Sequence, residues 1–94
     1  MSSVSVPAAE SGCAPLACFF VHARSEPGVV PRVLELFAKR GLVPRKCHSD
    51  TSGPGDAALT IDLQIGGLDP DTVTYVANCM RQIAGVEAVL TAAT

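Results

Sequence analysis

Ninety-four residues, 48% of them hydrophobic and only 17% charged, make one small core-forming domain and exclude a disordered chain. Seven Lys and Arg against nine Asp and Glu leave a net charge of -2, which excludes the basic excess a dedicated nucleic-acid binder needs. Aromatics are limited to Phe19, Phe20, Phe37 and Tyr75, too few for base-stacking or sugar-stacking platforms, and no apolar run approaches the roughly 20 residues of a spanning helix.

Residues 1–15 are rich in Ser, Ala, Pro and Gly, with Glu10 their sole charge and no periodicity. They are expected to form a flexible leader ahead of a domain over 16–94. Leu16 to Ala23 follows as a strand, with Ala17, Phe19, Val21 and Ala23 on one face and Cys18, Phe20 and His22 on the other. After the turn Arg24-Ser25-Glu26-Pro27-Gly28, Val30, Val33, Leu34, Phe37 and Ala38 recur at helical spacing, opposite Arg32, Glu35, Lys39 and Arg40. Pro31 is harmless there, because the N–H it lacks has no intrahelical partner in a first turn. Gly41 supplies a left-handed stop.

Leu42 to His48 reads as a second strand, and Pro44 with Arg45 and Lys46 mark it as an edge. Ser52 to Asp56 is a loop. Ala58 to Ile65 alternates, with Leu59, Ile61, Leu63 and Ile65 inward and Thr60, Asp62 and Gln64 outward, the pattern of a sheet with one open face. Asp69 caps a second helix that has Pro70 at its first position and Val73, Val76, Ala77, Met80 and Ile83 along one side. Val86 to Leu90 is a last short strand, and Thr91 to Thr94 trails off. The order β-α-β-β-α-β, with two one-sided helices, predicts an α+β, ferredoxin-like sandwich: a four-stranded antiparallel sheet with both helices on one face.

Chemistry is sparse. Cys13, Cys18, Cys47 and Cys79 form no C-x-x-C pair, so neither a zinc site nor a disulfide framework is indicated. His22 and Asp62 lie on outward faces of two strands that could be neighbours, and a small enzyme built on that pair is one reading. No nucleophile motif, phosphate loop or metalloprotease helix accompanies them, so the expectation is a chain that is not an enzyme, with no catalytic residue, metal or cofactor. The informative element is the bend Ser25-Glu26-Pro27-Gly28-Val29-Val30. It leaves the first N–H groups of a helix without partners, and Gly28 allows close approach to the backbone. A carboxylate placed there would gain up to ~2 kcal/mol from those amides and the helix dipole.

The run from Pro27 to Leu42 (PGVVPRVLELFAKRGL) resembles the first helix and following strand of ACT domains. Within that family it is most similar to the short small subunit of acetohydroxyacid synthase. The resemblance implies a non-catalytic regulatory module in branched-chain amino-acid biosynthesis, and a homodimer paired side by side through second strands. It implies a valine-like amino acid held between the Pro-Gly turn of one copy and the edge of the other. It further implies a large catalytic subunit of a thiamine-dependent synthase as partner. The net charge, and the lack of a spanning apolar run or of a basic residue before Arg24, predict a cytoplasmic chain without membrane or nucleic-acid partners. Carried over residue by residue, the ligand site is Ser25, Glu26, Gly28, Val29 and Val30, with the amides of Gly28 and Val29 on the ligand carboxylate. Ligand-binding members have Asp or Asn where this chain has Ser25, which leaves a second reading: a stand-alone dimerisation or interaction module that binds no amino acid.

Overall fold

Alternation decides the sheet. Strand β1 (Leu16–Arg24) buries Ala17, Phe19, Val21 and Ala23 and turns Cys18, Phe20 and His22 to the opposite face. The structure, a computed structural model, describes residues 16–93; the expected leader and Cys13 lie outside them. β1 is followed by helix α1 (Val29–Ala38), strand β2 (Lys46–Ser52), a 3-10 turn at Pro54–Asp56, strand β3 (Ala58–Gly66), helix α2 (Pro70–Arg81) and strand β4 (Val86–Ala93). The four strands form one antiparallel sheet in the order β2-β3-β1-β4, so the expected ferredoxin-like fold is the observed one.

Buried faces of both helices and one face of the sheet close a single core. Phe19, Phe37, Ile61, Leu63, Ile65 and Met80 are its largest fully buried side chains. Each contributes about 1.5–3 kcal/mol through removal from water. Phe19 and Phe37 meet edge-on, ring centroids 5.7 Å apart, which ties β1 to α1. Helix α2 starts where Asp69 accepts from the Thr72 amide at 2.7 Å, with Pro70 first in the helix. Its far end is pinned to β4 by Arg81, whose Nη2 donates to the Val89 carbonyl at 2.8 Å. Arg40, just past α1, lies over the Tyr75 ring of α2 at 4.9 Å.

Two boundaries differ from the sequence reading. The second strand runs Lys46–Ser52, not Leu42–His48, so Pro44 stands outside it and the ladder begins with the Arg45 amide donating to the Gln64 carbonyl at 2.7 Å. Ring geometry explains the delay, since a proline cannot donate to a ladder. The seven residues of β2 are all exposed, and none joins the core. The last strand continues to Ala93, because Thr91, Ala92 and Ala93 pair with Phe19, Cys18 and Ala17 of β1. In α1 the fully buried first-turn residue is Val29, while Val30 is half-buried and Ala38 exposed.

Candidate functional site

The bend from Arg24 to Gly28 leaves the end of a central strand and enters α1. Neighbours on both sides fix it. The Arg24 amide donates to the Gly85 carbonyl at 2.8 Å, beside β4, and the Ser25 amide donates to the Ala57 carbonyl at 2.9 Å, beside β3. The Glu26 amide turns back to the Arg24 carbonyl at 2.8 Å, and the Glu26 carboxylate accepts from Arg24 Nε at 2.9 Å. That ion pair is exposed, so it shapes the loop more than it stabilises the fold.

Gly28 is the N-cap of α1. No side chain caps the helix, and its first turn contains no acid. The Val29 amide donates to the Glu26 carbonyl at 3.2 Å, and Val29 itself is fully buried. The amide expected to meet a carboxylate at Val29 is thus already engaged. Among the described residues, the amides of Gly28 and Val30 have no backbone acceptor, and Pro31 has no N–H to offer. Ser25 and Glu26 are exposed beside them. The bend therefore gathers four of the expected residues around two free amides and directs Val29 inward as an anchor.

One residue was missed. Arg32, four positions after Gly28, folds its guanidinium back over the glycine: a Cβ on Gly28 would collide with Arg32 Nη1 and lie 3.0 Å from Cζ. Helical side chains lean toward the N-terminus, so a long residue at i+4 reaches its own cap. That spacing was the available signal. Chemically the place joins two amide donors, the positive end of a helix and a guanidinium, which suits a carboxylate or another small oxyanion. A hydroxyl at Ser25 and a carboxylate at Glu26 flank it.

His22 and Asp62 are not brought together. His22 stands across from Thr60 and Ala88, with its ring edge-on to Phe20 at 4.9 Å. Asp62 stands across from Phe20 and His48 and is held by Lys46 Nζ at 3.4 Å. His48 is exposed, with Nε2 2.8 Å from the Asp50 carboxylate. Cys18, Cys47 and Cys79 are free thiols, one each on β1, β2 and α2. No helix among the described residues is long and apolar enough to cross a membrane.

Comparison with known proteins follows the same lines. A family model described as an ACT-like domain matches residues 11–94. The fold is similar to that of the ACT domain from GTP pyrophosphokinase of Chlorobium tepidum, with TM-score 0.69 and 19% identity, covering 82% of this chain and 96% of that one. It is also similar to the C-terminal domain of the MgtC protein from Mycobacterium tuberculosis, with TM-score 0.72 and 17% identity, covering 90% and 93%. The regulatory subunit of aspartate kinase from Thermus thermophilus matches with TM-score 0.63 and 12% identity, covering 85% of this chain and 51% of that one. No curated protein matches the chain in sequence. At these identities the structural likeness carries the fold alone.

Proposed function

The chain belongs to the ACT-like domain family, and from that membership we propose that it is a non-catalytic regulatory module that binds a small amino acid at the Pro27-Gly28 bend. The observation that carries the reading is the pair of free amides at Gly28 and Val30, with the Arg32 guanidinium standing where a Cβ on Gly28 would be. The ligand carboxylate takes those donors, with Arg32 moving from above Gly28 to its side. Its ammonium is met by the Ser25 hydroxyl and by groups from a second copy. Pairing through β2 supplies that copy: β2 is an edge strand, and Pro44 stands clear of its ladder. The finer form of the proposal is regulation of acetohydroxyacid synthase, with valine as ligand and the thiamine-dependent large subunit as partner, and it rests on the Pro27–Leu42 motif. Such regulation corresponds to a coupling of about 1–3 kcal/mol between ligand site and partner active site.

Calorimetric titration with valine, leucine and isoleucine tests the binding step, and assay of a co-expressed synthase tests the partner. Saturable heat that Arg32→Ala abolishes supports the site. Absence of heat with all three, together with an unaltered synthase, rejects both parts. A second reading, an interaction module without amino-acid binding, is favoured by one observation: the Glu26 carboxylate is already paired with Arg24, so with Ser25 the bend offers an ammonium no free carboxylate.

A further inference from the structure

We propose that the open face of the sheet is a self-association surface, on which a second copy of this chain packs face to face about a two-fold axis running across the strands. The inference is independent of the ligand at the Pro27-Gly28 bend. Register places His48, Asp62, Phe20 and Leu90 in one line across all four strands. One pleat to one side, Lys46 and Cys18 share a parallel row; one pleat to the other side, Asp50 and His22 do. Both helices lie on the far side of the sheet, so nothing from the described residues covers these rows.

The face has two halves. On β1 and β4 it is largely apolar, with Phe20 39% and Leu90 59% exposed among Cys18, Ala88, Ala92 and the ionisable His22. On β2 and β3 it is polar and charged. A groove-seeking helix or an unrelated apolar surface would match only the first half. A second copy matches both. Rotation about the central row lays Phe20 and Leu90 over their own counterparts and exchanges the outer rows, which sets Lys46 against the second copy's Asp50, twice by symmetry. Asp62 meets its counterpart near the axis, but Lys46 already holds it at 3.4 Å, and an ammonium has donors enough to bridge both carboxylates.

Size makes the contact a weak one. Four strands at ~4.8 Å and about six residues at ~3.3 Å cover roughly 20 by 20 Å, so the pair buries on the order of 800–1,000 Å² in total, below the range of stable complexes and within that of weak, reversible association. Because this face and the β2 edge are different surfaces, both can be used at once, giving a tetramer of two-fold symmetry.

Sedimentation equilibrium of the whole chain is the test. The native protein associates, and Phe20→Glu raises the dissociation constant of the face contact at least tenfold with the far-ultraviolet circular dichroism unchanged. Phe20 lies on an interior strand that no edge-to-edge pairing reaches, so its effect separates this face from the β2 edge. Should Phe20→Glu fail to fold, Leu90→Glu on the sheet margin gives the same reading. A thiol introduced by Leu90→Cys should join its counterpart through a short bis-maleimide, identified by peptide mass, since packed sheets stand ~10 Å apart. A sedimenting mass that Leu90→Glu leaves unchanged, a monomeric native protein, or a missing 90-to-90 link each overturns the proposal.

Discussion

Arg32 shields Gly28: the guanidinium of the fifth residue in the Gly28-to-Arg32 turn occupies the space where any other residue at the cap would carry its Cβ. The helix thus covers its own N-terminus with a cation in place of the usual acid or hydroxyl. A cation near the positive end of a helix dipole is unfavourable by a few tenths of a kcal/mol up to ~1. An arriving anion relieves that opposition, and the bend is consequently more receptive to a carboxylate than an ordinary capped helix.

Gly28→Ala separates folding from binding. The backbone there, φ -82, suits any residue, and the collision is with the end of an exposed, flexible side chain. Stability should stay within about 1 kcal/mol of the native protein. Valine binding should weaken tenfold or more, because the methyl group blocks the approach to the amides. Urea unfolding beside calorimetry reads the two effects apart.

Gly85→Ala and Gly41→Ala should differ in size. Both glycines have positive φ, +96 and +68, but a Cβ at Gly41 meets nothing, whereas one at Gly85 lies 3.1 Å from both Glu26 Oε1 and Val29 Cγ2. Gly41→Ala should cost about 1–2 kcal/mol, the ordinary left-handed penalty. Gly85→Ala should cost at least ~2–3 kcal/mol, since φ lies further from the left-handed well and buried Val29 cannot yield. It should also displace the bend, so ligand binding falls with it. Equilibrium denaturation of the two variants checks the order.

Phe37→Ala removes the ring that meets Phe19 at 5.7 Å in the fully buried core. The loss should be about 3–5 kcal/mol. For a domain of this size that is a large part of the whole stability. Calorimetric melting should show a Tm lower by well over 10 °C, at about 4–8 °C per kcal/mol, or no cooperative transition.

Asp69 makes the start of α2 sensitive to acid. The Thr72 backbone amide, then the Thr72 side chain, hold its carboxyl below the ordinary value of 3.8. A depressed carboxyl stabilises the fold fully above its unfolded value, and the contribution is lost as pH falls through the folded one. Asp69→Ala should therefore be less stable than the native chain near neutral pH, with the gap closing in strong acid. Asp69→Asn, whose amide oxygen still accepts from Thr72, should keep most of the cap at all pH values. Urea midpoints across the acid range test the convergence.

Much of the fold was legible because local patterns agreed. Leu59, Ile61, Leu63 and Ile65 alternate so regularly that only one register buries them, and Asp69-Pro70 announces a helix start by chemistry alone. The second strand was misplaced for the opposite reason. Its residues Lys46 to Ser52 are polar on both faces, and periodicity has nothing to mark when no side faces the core. At the bend, the residue types were readable but not the direction of each amide, which depends on how Val29 inserts into the core. The Arg32 contact follows from helix geometry, yet it is visible only once the start of α1 is fixed at Val29.

Because β2 places no side chain in the core and meets the rest of the sheet only through β3, its order is held by one ladder of main-chain bonds and the exposed Lys46–Asp62 pair. Amide protons along Lys46 to Ser52 should therefore exchange with solvent earlier than those of β1 or β3 in an isolated chain. A neighbour zipped along the free side would slow them. Deuterium uptake in this one strand thus serves as a built-in gauge of whether the chain is alone.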